Sequence, residues 1–130
     1  MKETIKVTAT FPVSSKKLYE AWLSSKEHSH FIEGNAEIDP KLGGQFIIWD
    51  GYIKGNTNTL QPYKRIVQSW RTTDFSTNDE DSILEISFEK VNNGTKITLL
   101  HSNIPEGQGE DYKKGWKEYY FKPMKKYFAK

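Results

Sequence analysis

The sequence has no cysteine, no long hydrophobic run and few aliphatic residues. Without cysteine, the 130-residue chain cannot form disulfides, thiolate zinc sites or iron–sulfur clusters, and it has no thiol nucleophile. No stretch approaches the roughly 18 consecutive apolar residues that a transmembrane helix requires, and residues 1–6 lack the apolar run of a signal peptide. We therefore expect a cytoplasmic protein that does not act at a membrane.

Neither sign of charge is in large excess, because 19 basic residues face 17 acidic ones. A nucleic-acid-binding domain is usually much more basic, so no nucleic-acid partner is predicted. The charges are nevertheless segregated: residues 72–89 hold six acids and no lysine or arginine, whereas residues 112–130 hold seven lysines and one acid. Such runs are usually solvated faces, and a docking surface for a protein partner is the alternative.

Aromatic residues are abundant where aliphatic residues are not. The 4 Trp, 7 Tyr and 7 Phe make up 14% of the chain, while all hydrophobic residues together reach 35%. A buried aromatic ring removes roughly 150–250 Å² from water, so rings are predicted to supply much of the core. The length fits one domain spanning residues 1–130.

The first third of the sequence predicts a strand followed by two short helices. Apolar and polar residues alternate over 5–11, which is the period of a strand with one buried face. A capping serine opens 14–23, and Ser24 with Glu27 has the spacing of a capping box that opens 24–31. We expect helices over both stretches.

The middle of the sequence is typical of an antiparallel meander. The clearest hairpin flanks residues 92–94, Asn-Asn-Gly, whose composition suits a tight turn between alternating strands. Turn residues separate the predicted strands, which are 37–39, 45–50, 52–60, 64–71, 82–91 and 95–102.

An amphipathic helix is predicted over 110–128, where aromatic residues recur at steps of three and four. Pro123 lies inside this pattern. Proline lacks a backbone N–H and its ring clashes with the preceding turn, so a kink or break is expected near Lys122.

A search for catalytic and metal-binding patterns finds no nucleophile elbow, phosphate loop or zinc motif, so no catalytic residue, metal ligand or cofactor is predicted. His28 and His30 would diverge by about 200° on a helix, which favours two surface histidines over a metal site. His101 shares the apolar strand face of Ile97 and Leu99. It is either a hydrogen-bonded core residue or a polar contact for a ligand.

A curved sheet packed on an aromatic helix tends to leave space between the two layers. Two interpretations stay open: the rings fill this space as core, or they line a cavity for a small hydrophobic ligand. The residues expected nearest the space are Phe46, Ile48, Trp70, Phe88, Leu99, His101, Trp116 and Tyr120.

Three segments carry a resemblance to a known family: GGQFIIWDG at 43–51, DGYIKGNTNTLQPYKRIVQSW at 50–70, and HSNIPEGQGEDYKKGWKEYYFKPMKKYF at 101–128. Together they resemble the C-terminal domain of the activator of the heat-shock-protein-90 ATPase, over nearly the whole chain. The resemblance implies an α+β helix-grip fold of the START-like (SRPBCC) superfamily. In that fold, two short helices follow the first strand, and a curved antiparallel sheet of about six or seven strands wraps around a long C-terminal helix.

The same resemblance implies a non-enzymatic co-chaperone or stress-related protein whose partner is a chaperone of the heat-shock-protein-90 type. Its candidate contacts are Lys113, Lys117 and Lys125. The separate N-terminal domain of the full-length activator has no counterpart in these residues, so retention of the fold without chaperone activity is an alternative. More distant families with this fold bind small hydrophobic molecules or act as cyclases, which leaves a ligand carrier as a second hypothesis. A cyclase or hydrolase using His101 or Asp50 is a third.

Overall fold

The computed structural model describes residues 1–129. Its elements in chain order are β1 (Glu3–Phe11), α1 (Ser15–Leu23), α2 (Ser25–Ile32), β2 (Ala36–Ile38), β3 (Gln45–Ile48), β4 (Ile53–Gln61), β5 (Arg65–Thr72), β6 (Ser82–Val91), β7 (Gly94–Ile104), α3 (Gly109–Gly115), a π-helical turn (Trp116–Phe121) and α4 (Lys122–Phe128). We call α3, the π turn and α4 together the C-terminal helix. Among the described residues, none of the helices combines the length and the apolar character needed to cross a membrane.

The strands form one antiparallel sheet in the order β1-β7-β6-β5-β4-β3-β2. The predicted α+β helix-grip architecture is confirmed. The β6–β7 hairpin pairs Ile86 with Leu99, as the alternation on either side of the Asn-Asn-Gly turn requires.

The first strand joins the sheet at its far edge, beside the last strand. Glu3 of β1 pairs with Ile104 of β7, and its carboxylate accepts hydrogen bonds from the backbone N–H groups of Gly107 and Gly109, at 2.9 and 2.8 Å. These two bonds lower the pKa of Glu3. The start of β1 is therefore tied to the start of the C-terminal helix.

Both predicted helix starts are confirmed by their caps. The hydroxyl of Ser14 accepts from the N–H of Lys17, and the hydroxyl of Ser24 accepts from the N–H of Glu27, each at 3.1 Å. These bonds satisfy N–H groups that have no partner within the helix. Helix α2 ends at Ile32 and is followed by Glu33, which has the left-handed conformation common at helix C-termini.

The prediction of a strand through residue 50 is wrong, because β3 ends at Ile48. Trp49 and Asp50 both have positive φ angles, 51° and 57°. The turn is held by the backbone of Asn35, whose carbonyl accepts from the N–H of Trp49 at 2.8 Å, and by its side-chain amide, which donates to Asp50 at 3.1 Å. A non-glycine residue in the left-handed conformation costs about 1–3 kcal/mol of stability. The hydrogen bonds around this turn must therefore offset that cost.

Where a kink or break is expected, near Lys122, the α-helical pattern is interrupted by a wider turn. Residues on both sides of Pro123 stay helical, and the N–H of Lys122 bonds to the carbonyl of Lys117, five residues earlier. A π turn widens the helix where the proline ring would crowd the preceding turn and where its missing N–H leaves a carbonyl without its usual partner.

The core lies between the sheet and the helices and is rich in rings, as the composition predicts. Phe11 of β1 packs edge-on against Phe121 and Phe128, each with its ring centroid at 6.0 Å. Edge-to-face pairs of this kind are favourable beyond the area that they bury. They fix the second half of the C-terminal helix to the sheet and leave its first half to shape the neighbouring space.

Candidate functional site

A cleft of about 390 Å³ opens between the first half of the C-terminal helix and strands β4, β5 and β7. We call it the aromatic cleft, because half of its fourteen lining residues are tryptophan or tyrosine. The full lining consists of Trp49, Tyr52, Ile53, Trp70, Thr72, Asp74, His101, Gln108, Asp111, Tyr112, Gly115, Trp116, Tyr119 and Tyr120.

The structure brings half of the predicted ligand-binding residues to this cleft. Those that line it are Trp70, His101, Trp116 and Tyr120. Those that lie in the core without lining it are Phe46, Ile48, Phe88 and Leu99. Phe46 packs behind Trp70 with ring centroids 5.4 Å apart, so it supports the wall of the cleft from the inside.

His101 is held in one tautomer by a chain of hydrogen bonds. The indole N–H of Trp116 donates to its Nδ1 at 3.2 Å, so the proton of the neutral ring is on Nε2, which lies 2.7 Å from Ser82 Oγ. The Ser82 hydroxyl in turn donates to the carbonyl of Trp70 at 2.9 Å. Burial lowers the pKa of His101 to about 3. With both nitrogens engaged, the ring serves as a wall of the cleft and has no free nitrogen for acid–base catalysis.

His28 is a buried residue, so its prediction as a surface histidine is wrong. Its Nδ1 donates to the carbonyl of Trp22, and the hydroxyl of Tyr120 donates to its Nε2, both at 2.8 Å. Burial lowers the pKa of His28 to about 4, against the opposing effect of the Trp22 bond, and raises the pKa of Tyr120 well above its ordinary value. The helical spacing of His28 with Phe31 and Ile32 is the sequence signal that places it on the buried face. His30 is exposed.

Acidic and neutral polar groups surround the mouth of the aromatic cleft. Tyr52 donates to the carboxylate of Asp74 at 2.7 Å, and Gln108 donates to the Asp74 carbonyl at 2.9 Å. Burial and the Asp74 carboxylate together raise the pKa of Tyr52 to about 12. Asp111 is the second carboxylate in the lining of the cleft. The hydroxyl of Tyr112 donates a hydrogen bond to the side-chain oxygen of Gln108 at 2.6 Å.

Several lining residues were not predicted as a site. Alternation along β3 would point Trp49 away from Ile48, and only the left-handed turn brings its indole to the cleft. Tyr112 and Tyr119 share the helical spacing of Trp116, so the amphipathic pattern already contained their signal. Asp50 does not line the cleft, because its carboxylate is turned toward Asn35.

Gly115 leaves the aromatic cleft open. It has a helical backbone with φ of −59°, where glycine costs about 0.5–1 kcal/mol relative to alanine. A Cβ built at Gly115 would meet only Cδ2 of Tyr119, at 3.9 Å. A larger side chain at this position would therefore grow into the space of the cleft.

The predicted partner-binding lysines lie along the C-terminal helix outside the lining of the cleft. Lys117 and Lys125 are exposed and Lys113 is half-buried. Within residues 1–129 none of the three forms an ion pair, whereas Lys122 pairs with Glu118 at 3.9 Å. These three ammonium groups are thus available to an acidic surface.

The family model for "Activator of Hsp90 ATPase homolog 1-like protein" matches residues 12–129. The chain belongs to this family. The resemblance seen in the sequence motifs is thereby confirmed, and it extends through the sheet and the C-terminal helix.

Named relatives and a solved structure agree with this membership. The activator of 90 kDa heat shock protein ATPase homolog 1 of Homo sapiens is 29% identical over 128 residues, covering 97% of this chain and 38% of the relative. The activator homolog of Dictyostelium discoideum is 27% identical over 116 residues, covering 88% and 30%. The chain thus spans about a third of the length of the curated relatives it matches. An HSP90 activator from Plasmodium falciparum has a solved chain that is 26% identical, with a TM-score of 0.89 over 97% of this chain and 96% of that one.

Proposed function

We propose that this protein is a non-enzymatic co-chaperone that stimulates the ATPase of a chaperone of the Hsp90 type. The observation that carries the proposal is the family match across residues 12–129. It is supported by the solved chain of the Plasmodium falciparum HSP90 activator, which superimposes on this chain over nearly the full extent of both. The proposal includes the expectation that the protein works in the cytoplasm.

The contact surface in this proposal is the lysine-bearing side of the C-terminal helix. Lys113, Lys117 and Lys125 have no acidic partner within residues 1–129, so their charge can face an acidic surface of the chaperone. Charged rim contacts act mainly on association rate and orientation, and salt weakens them. Binding is therefore expected to weaken at high ionic strength.

The test is an ATPase assay with Hsp90 from the source organism, with and without the purified protein. We expect stimulation that falls with added salt and is reduced in a Lys113→Gln, Lys117→Gln, Lys125→Gln variant. No stimulation together with no binding in calorimetry at low salt would contradict the proposal.

The matched control for this variant removes the same amount of charge from another part of the surface. Lys6, Lys16 and Lys90 are exposed on β1, α1 and β6, and within residues 1–129 they also lack an ion pair. Their replacement by glutamine should leave the stimulation unchanged. Equal losses in both variants would assign the effect to net charge and not to the C-terminal helix.

A second candidate function is the binding of a small ligand in the aromatic cleft. It is favoured by Gly115, a helix-interior glycine that costs stability and whose missing side chain leaves the cleft open. The volume of about 390 Å³ lies within the range of small-molecule sites. A thermal-shift panel of apolar compounds tests this candidate, and Gly115→Leu should remove any shift. Lys114→Leu adds the same side chain at the neighbouring, exposed position and should keep the shift.

A further inference from the structure

We propose that the aromatic cleft selects a small organic cation, a molecule that carries an alkylated ammonium group on an apolar body. This inference rests on the ligand-binding candidate above and specifies the charge of its ligand. Three observations carry it: the aromatic walls, the acids without an ion-pair partner at the mouth, and the engagement of the Trp116 N–H and the Tyr120 hydroxyl in hydrogen bonds within the protein.

The walls are aromatic rings set at angles to one another. Trp70 and Trp116 have ring centroids 5.1 Å apart at an interplanar angle of 43°, and Trp49 stands nearly perpendicular to Tyr120 at 5.6 Å. The face of an aromatic ring carries a partial negative charge that attracts cations, most strongly for tryptophan. All four rings line the cleft, so an ammonium group in the cleft can approach more than one of them.

The formal charges at the cleft have the same sign as the ring faces. Asp74 and Asp111 are both lining residues, and among residues 1–129 no lysine or arginine lines the cleft with them. Within residues 1–129 neither carboxylate forms an ion pair. His101 is neutral because both of its nitrogens are engaged and buried. The cleft is therefore negative although the whole chain carries a net charge of +2.

Two hydrogen-bonding groups inside the cleft are already engaged, which disfavours an anion or a neutral ligand that depends on hydrogen bonds. The Trp116 N–H is bonded to His101, and the Tyr120 hydroxyl is bonded to His28. At the mouth, the hydroxyls of Tyr52 and Tyr112 already donate to Asp74 and Gln108. A carboxylate or phosphate would lose its hydration without gaining these donors, and it would face the two aspartates. Recognition by ring faces and negative charge suits an alkylated ammonium group, which needs no hydrogen bond.

The test uses three probes that share a benzene ring and differ in charge: benzyltrimethylammonium, benzyl alcohol and benzenesulfonate, titrated at matched ionic strength. Binding is measured by calorimetry and by the fluorescence of the tryptophans that line the cleft. We expect a Kd for the cation that is about tenfold lower than that for benzyl alcohol, and no binding of the sulfonate. Raising the salt from about 0.05 to 0.5 M should weaken the binding of the cation and leave that of the alcohol unchanged.

The matched variants isolate the two carboxylates. In an Asp74→Asn, Asp111→Asn variant the Kd of the cation should rise roughly fivefold while the Kd of benzyl alcohol is unchanged. Asparagine at 74 can still accept the hydrogen bond from Tyr52, so the mouth of the cleft keeps its shape. Glu110→Gln removes one charge from the same turn of α3, outside the lining of the cleft, and should change the Kd of the cation by less than about twofold.

The outcomes distinguish the selection of cations from the binding of any ligand in the cleft. Equal affinity for the cation and the alcohol would overturn the selection of cations while leaving ligand binding in place. A preference for the cation that stays at its full size in the double variant would overturn the role assigned to Asp74 and Asp111. Failure of all three probes to bind would overturn both. A preference for the cation that depends on salt and on the two aspartates would support both.

Discussion

The indole N–H of Trp116 donates a hydrogen bond to Nδ1 of His101 across 3.2 Å, from the C-terminal helix to strand β7. The bond needs an unprotonated Nδ1, so the helix and the sheet are joined through a neutral histidine. His28 is held in the same way by the hydroxyl of Tyr120 at 2.8 Å. Two buried imidazoles thus each accept a hydrogen bond from a residue that lines the aromatic cleft.

Acidification should destabilise the protein in the range where unfolded histidines become protonated. The folded-state pKa is about 3 for His101 and about 4 for His28, below the ordinary 6.5. The unfolded state therefore binds protons first, and the stability present above pH 6.5 is lost progressively as the pH falls toward the folded pKa. Between about pH 7.5 and about pH 5 we expect a loss of about 2 kcal/mol per histidine in the free energy of unfolding.

Urea unfolding at both pH values measures this loss. In His101→Gln the difference between the two pH values should fall by about half, because one of the two groups no longer titrates. His30→Gln removes an exposed histidine and is the matched control. A combined loss below about 1 kcal/mol in the unmodified protein would contradict the assignment of neutral, buried imidazoles.

Tyr120→Phe should cost about 1–3 kcal/mol of unfolding free energy. The ring is retained, but Nε2 of His28 loses its donor and becomes an unsatisfied buried acceptor. Tyr119→Phe is the matched control, because the neighbouring Tyr119 is 67% exposed; it should change stability by less than about 0.5 kcal/mol. Equal effects of the two variants in urea unfolding would argue against the Tyr120–His28 bond.

Gly115→Ala should raise the free energy of unfolding by about 0.5–1 kcal/mol. Gly115 has helical backbone angles, and its added Cβ would meet only Tyr119 at 3.9 Å. Gly55→Ala is the contrasting variant, because a Cβ there would overlap the Ser69 carbonyl and press on the ring of Phe46. Thermal unfolding should show opposite signs for the two substitutions, and a destabilised Gly115→Ala would mean that the cleft has no room at this position.

Gly34→Ala should displace Trp49 from the aromatic cleft. A Cβ at Gly34 would overlap the Trp49 indole, so one of the two must move. We expect a loss of about 1–3 kcal/mol, together with altered tryptophan fluorescence. In a Trp49→Ala background the same substitution should cost much less, because its steric partner is gone. Both backgrounds are compared by urea unfolding. An equal loss of unfolding free energy in the two would show that Gly34→Ala does not act through Trp49.

The fold could be predicted from local patterns, because each pattern depends on a few neighbouring residues. The caps at Ser14 and Ser24 are set by residues three positions ahead, and the alternation of β6 and β7 is set by which face is buried. The family motifs then supplied the fold class, whereas the pairing of β1 with β7 was not among the predictions. The C-terminal helix was predicted within one residue of its start.

The site was predicted only in part, because its geometry depends on backbone angles and on distant partners. Nothing in the local pattern shows that Trp49 adopts a left-handed conformation, since that turn is held by Asn35. His28 appears polar in the sequence, and its burial requires Tyr120, 92 positions away, as a hydrogen-bond donor. Two interpretations were open for the space between the sheet and the C-terminal helix: the rings fill it, or they line a cavity. The difference depended on one missing side chain, that of Gly115.

The pairing of β1 with β7 has a consequence for biosynthesis. The carboxylate of Glu3 bonds to the N–H of Gly109, a residue 106 positions later in the chain. On a ribosome, β1 emerges before the other strands of this sheet but has no partner strand until β7 has been made. Until then the unpaired backbone of β1 can pair with the wrong strand. Pairing at such a sequence separation also raises contact order, which slows folding. Among the strands of this sheet, the first to be synthesised is therefore expected to be the last to pair.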